Sequence, residues 1–391
     1  MLGADVEKLK LRNKQVDAFT NKFLASLPFK VQSVADLGGL RQAWRERESV
    51  PCLFESRDAA TDNSFLGLDI RTFLSGDNSS GRLSAHDIIV APGSGLPRHY
   101  QTEGEFYLAV IEGEVELTVG KLTEASRAGS FAYIPPYTTA AIENKCNAPA
   151  RLFLIGYPAG VDRAFSEARA LWLKSGDKSA APYLAILERF GFRFGASSPQ
   201  KNDGRTNMKP VRLEADINSL DDFQSMRESW SKRQPIPKLI HSPERNRPDI
   251  ASDGGAASSR AGMLCNGDET SGHAVMGIGE TGPGYSAFSH YQPTEEELFY
   301  VLSGDFELTC GAQTRRLRPG AFGFAPRFAT HGFVNPQTMD VARVITLNSP
   351  AGHERGFEMI ARHQRQKYDN MVEQLRSHGW EVHDPKDADT L

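Results

Sequence analysis

Residues 99–120, HYQTEGEFYLAVIEGEVELTVG, and residues 290–311, HYQPTEEELFYVLSGDFELTCG, align without a gap at an offset of 191 in a chain of 391 residues. Working outward, the same offset pairs Asp77 with Asp268, Gly81 with Gly272 and Gly93 with Gly284, then Gly129 with Gly320, Pro135 with Pro326 and Asn144 with Asn335. After one inserted residue, YPAGVDRAF at 157–165 answers SPAGHERGF at 349–357, and Phe190-Gly191-Phe192 answers His378-Gly379-Trp380. Register held over such a length marks a duplication, so the chain is two copies of one domain.

Each copy is built of short alternating stretches, such as Glu307 to Thr309 and Phe322 to Phe324, separated by Gly, Pro, Asn and Asp. That pattern predicts an antiparallel all-β domain and not alternating βαβ units. Helical spacing occurs at the edges, in Val16, Phe19, Phe23 and Leu27 and again in Phe357, Ile360, Tyr368, Met371 and Leu375. The expected division is an N-terminal helical extension over 1–45, a first domain with trailing helices over 46–195, a linker over 196–235 and a second domain with a C-terminal helix over 236–391. The polar stretch 196–235 reads as an exposed connection, and 242–260 as a long mobile loop.

The formal net charge of −4, with Lys and Arg scattered, leaves no basic footprint and excludes nucleic acid as a partner. Charges occupy the place where a signal peptide would need an apolar core, and no segment has the apolar length of a membrane span. The chain is therefore expected to be cytoplasmic, with no membrane partner. Cys52, Cys146, Cys265 and Cys310 lie far apart and form no CxxC, which predicts free, reduced and mostly buried thiols.

In the second copy Gly284 is followed by His290, Gln292, Glu297 and Gly304, and Gly320 by Pro326, His331 and Asn335. On a strand, positions i and i+2 share a face, so His290 and Gln292 point the same way. If Glu297 and His331 arrive from neighbouring strands, imidazole and carboxylate converge as a donor set suited to a divalent transition metal. Glu296 competes with Glu297, but the interval to Gly304 favours Glu297. The amide oxygen of Gln292 is a poorer ligand than imidazole, and it either binds directly or orients water or substrate. The remaining His86, His241, His273, His353, His363, His378 and His383 read as hydrogen-bonded core or surface residues. Tyr285, Phe288, Phe322, Phe324 and Phe333 either wall a pocket for a flat substrate or pack in the core. The first copy keeps His99 and Gln101 but has Phe106 opposite Glu297 and Ala140 opposite His331, with Glu105 available only through a local shift. It is expected to be free of metal, serving as scaffold, dimer surface or second ligand pocket.

These residues resemble the two motifs of the cupin superfamily, G-x5-H-x-H-x4-E-x6-G and G-x5-P-x-G-x2-H-x3-N, which read here GYSAFSHYQPTEEELFYVLSG from Gly284 and GAFGFAPRFATHGFVN from Gly320. Gln292 replaces the second histidine and Phe328 a glycine. The resemblance implies an all-β bicupin: two tandem double-stranded β-helix (jelly-roll) barrels with flanking helices. Over residues 50 to 380 the layout is similar to the quercetin 2,3-dioxygenase (flavonol dioxygenase) and pirin-like group. That likeness implies one divalent transition metal per chain, iron foremost, with manganese, nickel, cobalt, zinc and copper as alternatives. His290, Glu297 and His331 would hold it, with Gln292 in the fourth place and Glu297 as the base. It further implies a phenolic or enolic substrate, flavonol-like or polyketide-type, with dioxygen as co-substrate, and a homodimer. Two other readings stay open: a non-redox lyase, isomerase or decarboxylase using the cation as a Lewis acid, and a non-catalytic bicupin that binds a small ligand.

Overall fold

The computed structural model describes residues 24–50, 53–55, 64–177, 179–195, 202–241, 250–251, 259–336, 340–366 and 370–382. Among the described residues twenty-four strands form two sheets of seven and two of five, one of each size per barrel. The larger sheets pack back to back, and the smaller ones close the outer sides. The fold is the double-stranded β-helix, present twice.

Pairing register reproduces the duplication in three dimensions. Ala140 stands opposite His99, as His331 stands opposite His290. Phe106 pairs with Ile134 where Glu297 pairs with Ala325. The turn after the strand Glu296–Ser303 shows why both copies keep a glycine there. Gly304 has φ +73°, and a Cβ on it would stand 2.7 Å from the Val341 carbonyl oxygen; Gly113 repeats this with φ +75° and 2.9 Å to Pro149.

The barrels exchange strands. Leu53–Glu55, from the first copy, pairs with Phe322–Ala325 of the second barrel, and Lys238–Ile240, from the second copy, pairs with Phe131–Ile134 of the first. The faces of the two large sheets then meet in one buried apolar layer that includes Phe73, Tyr133 and Phe153 with Tyr300, Phe322 and Phe324. Phe73 stacks on Phe322 at 5.4 Å, and Phe153 on Tyr300 at 4.2 Å between centroids. Reciprocal ion pairs flank the layer: Arg82 with Glu296, and His273 with Glu105 at 2.9 Å. Arg82 and His273 are register equivalents, as are Glu105 and Glu296, so the barrels are related as in an isologous dimer.

Part of the stretch expected to be an exposed connection is a structural element. The helix Leu220–Ser231 buries Phe223, Met226 and Trp230, and its counterpart before the first barrel is Leu37–Arg45 with Trp44. The Trp230 indole N–H donates to Asp268 at 2.8 Å, and that of Trp44 to Asp77 at 3.0 Å. Arg233 and Arg47 bind the same two carboxylates at 2.9 Å. A tryptophan of that size needs a flat seat, and Gly267 with Gly272, or Gly76 with Gly81, provides it.

Two further expectations change. Cys310 is disulfide-bonded, which corrects the reading of four free thiols: a buried sulfur on a strand remains free to pair if another sulfur reaches it. Cys146 and Cys265 are free, and Cys52 lies outside the described residues. Leu27 sits in non-helical chain, and Val16, Phe19, Phe23 and Tyr368 lie outside the described residues, as does most of the 242–260 loop. Among the described residues no helix is long and apolar enough to cross a membrane.

Candidate metal centre

The strand Glu296–Ser303 decides which carboxylate enters the second barrel. It is buried on both faces. Leu298 and Tyr300 face the layer between the barrels, and Phe299 and Val301 face the interior. By alternation Glu296 points to the first barrel, onto Arg82, and Glu297 points inward. His290 and His331 come from the opposed strands His290–Tyr291 and His331–Val334. One ligand atom from each of His290, Glu297 and His331 lies within 4.8 Å of the other two, and all three residues are buried.

Backbone carbonyls set the histidine tautomers. Nδ1 of His290 donates to the Phe288 carbonyl at 3.1 Å and Nδ1 of His331 to that of Ala329 at 2.8 Å. Each Nε2 is left as a lone pair facing the cluster, the arrangement a metal ligand needs. Burial holds His290 neutral, pushing it down to about 3 with His331 adding to the effect. Burial alone would raise Glu297, yet the neighbouring imidazoles, His353 foremost, outweigh it and hold the carboxyl at about 2. Two imidazoles and one carboxylate, all buried, are a donor set that fits a divalent cation. Glu297 Oε2 stands 3.2 Å from His331 Nε2 and accepts from Gln292 Nε2 at 3.2 Å. Gln292 therefore closes the fourth side, and a half-turn of its amide would present oxygen to a cation.

The expected aromatic residues separate into two groups. Tyr285, Phe288 and Phe333 line a hollow that ends on His290 and Glu297. Phe322 and Phe324 do not reach it, which corrects their assignment as pocket walls. On the strand Phe322–Ala325 they share the outward face and fill the layer between the barrels, and Gly323 and Ala325 face inward.

His353, read from sequence as an ordinary core or surface histidine, also lines the hollow. It opens the helix His353–Gln366. Trp380 donates its indole N–H to His353 Nδ1 at 3.0 Å, which leaves the ring proton on Nε2. Glu295, ion-paired to the buried Arg227, stands 3.4 Å from the same nitrogen. Burial works to lower His353, but the carboxylates of Glu297 and Glu295 raise it overall. A sequence signal existed: in the aligned PAG segments this position is Val161 in the first copy and histidine in the second.

The first barrel has no such cluster among the described residues. His99 keeps the backbone bond, Nδ1 to the Pro97 carbonyl at 2.8 Å. Its ring packs against Phe192 at 5.2 Å, and Phe106 lies 5.9 Å from the same phenyl group. Glu105 is not available as a substitute, because it accepts from the Tyr107 and Tyr133 hydroxyls and pairs with His273.

The sequence matches the cupin domain family twice, at residues 86–156 and 277–348. No curated protein matches the chain. Among solved structures it is similar to Ylba from E. coli, at 12% identity and a TM-score of 0.49, over 76% of this chain and 90% of that one. It is also similar to oxalate decarboxylase from Bacillus subtilis, at 13% identity and 0.46, over 85% and 88%. A third is a cupin 2 conserved barrel domain protein from Leptotrichia buccalis, at 11% and 0.43, over 76% and 95%.

Proposed function

For a chain that carries two cupin domains, we propose that the second is a metal-dependent dioxygenase acting on a phenolic or enolic small molecule, flavonol-like or polyketide-type. The observation that carries the reading is the meeting of His290, Glu297 and His331 at the end of an apolar hollow. A divalent metal held there, iron foremost, would supply Lewis acidity toward a hydroxyl oxygen of the substrate and access to dioxygen chemistry. Both oxygen atoms would enter the substrate, so no outside reductant is required.

The chain's own residues have distinct parts. His290 and His331 offer Nε2 as donors, their rings fixed by the carbonyls of Phe288 and Ala329. Glu297, kept anionic, supplies the negative charge of the donor set and is the nearest carboxylate to accept the substrate's hydroxyl proton. Gln292 orients that carboxylate through its amide N–H. Tyr285, Phe288 and Phe333 hold the substrate ring and keep water out.

Metal analysis and an oxygen electrode test the proposal. The purified protein is expected to carry one equivalent of metal, which His331→Ala loses, and to consume oxygen with a subset of phenolic substrates. Turnover under strict anaerobiosis would replace the dioxygenase with a lyase, isomerase or decarboxylase. A preparation that neither holds nor takes up metal would leave only a ligand-binding role.

A further inference from the structure

The first barrel is an internal control for the second. On the strand Ser84–Val90, His86 and Ile88 face the barrel interior; on Val275–Thr281 the register equivalents are Gly277 and Gly279. The pairing partners establish the equivalence. Ile88 lies between Ile70 and Leu152, and Gly279 between Ala261 and Val344. Ile70, Ile88 and Leu152 belong to a continuous apolar core. Ala261, Gly279 and Val344 line the hollow.

A glycine inside a strand weakens it relative to alanine, so its presence calls for a cause. Three ordinary causes fail for Gly279. It is not among the glycines with positive φ. The register of its strand is unbroken against Ala342–Ser349, and on the other side the only shift lies between Met263 and Cys265. A Cβ would meet nothing closer than the Val344 carbonyl oxygen at 3.8 Å, an ordinary contact. What the missing side chain leaves is room, and a strand glycine often marks the place where a ligand comes close. Among the described residues the hollow is lined by no lysine or arginine, and its ionisable residues are Tyr285, His290, Glu297 and His353. With Glu297 already anionic, the described lining has no ammonium or guanidinium group to offset the second negative charge of a buried dianion.

We propose that Gly279 determines specificity, admitting an uncharged, ring-bearing apolar compound along the sheet to the His290, Glu297 and His331 cluster and leaving no support for a small dianion. This deepens the reading of that cluster as a catalytic metal site and rests on it. The test fills the space as the first barrel does, with Gly279→Ile. The probes are 3-hydroxyflavone, followed by its fluorescence, and oxalate as the dianion. The variant is expected to keep its metal and to melt at or above the parent temperature, while its flavone affinity falls by at least about tenfold. Gly279→Ala, whose Cβ makes only the ordinary contact, should fall between parent and isoleucine variant, and it decides the matter if the larger residue prevents folding. Flavone affinity unchanged within about twofold in the variants, a lowered melting temperature for Gly279→Ala, or oxalate binding tighter than flavone binding in the parent would each overturn the proposal. A parent without metal but with a flavone site lost in the variants would fail the catalytic reading and leave the specificity role standing.

Discussion

At the residue scale, adjacent carboxylates in one strand take opposite roles. Glu296 and Glu297 are chemically alike, and only the parity of the strand sends one to Arg82 and the other to the imidazoles. The interval to Gly304 favours Glu297, and alternation along the first part of the strand turns that carboxylate inward. His353 was not legible from motif spacing, since it reaches the site from a helix outside the barrel strands. In the first barrel His86 gives a prediction of its own. Burial lowers it from 6.5 to about 3. The folded chain therefore binds fewer protons there than the unfolded chain between those values. Its contribution to stability is complete above pH 6.5 and is lost as pH falls toward 3. In His86→Leu, which cannot take the proton, the urea midpoint should decline less steeply over that window. An unchanged slope would show that His86 is hydrated or already charged in the folded state.

At the scale of single elements, periodicity identified strands and left open which face of each looks into a barrel. The strand Phe322–Ala325 is buried at all four positions. Alternation in such a strand cannot tell the interior from the layer between barrels, which is why Phe322 and Phe324 read from sequence as pocket wall and as core alike. Phe322→Ala should destabilise the protein by about 3–5 kcal/mol, the usual cost of truncating a buried phenylalanine, and leave metal content unchanged. Denaturation midpoints with metal analysis check this, and loss of metal with little loss of stability would return Phe322 to the site. The helix Leu220–Ser231 escaped notice for a different reason. Trp44 and Trp230 are 186 residues apart and Asp77 and Asp268 are 191 apart, so an offset fixed on the strands misses the helix that precedes them. Its polar neighbours, Ser229, Ser231 and Lys232, gave the stretch the look of a solvated linker.

At the scale of the whole molecule, duplication was readable from the constant offset, and the exchange of strands was not, because pairing partners leave no trace in a repeat. The exchange predicts that residues 1–195 and 196–391 do not fold when produced separately. Each half would expose the partner-facing apolar layer and an unpaired strand edge, Phe131–Ile134 in one and Phe322–Ala325 in the other. Produced together, the halves should associate into a single species by size-exclusion chromatography. Soluble, monomeric halves would overturn this. The linkage of the barrels within one polypeptide also bears on how they could come to differ. In a pair of identical short chains every mutation is written twice, so a residue that opens one interior opens both and the molecule loses two cores at once. Joined in one chain, the copies inherit changes separately. Ile88 and Leu152 can go on filling one interior while Gly279 empties the other, with a sound neighbour still pressed against the outer wall of the barrel that has been opened.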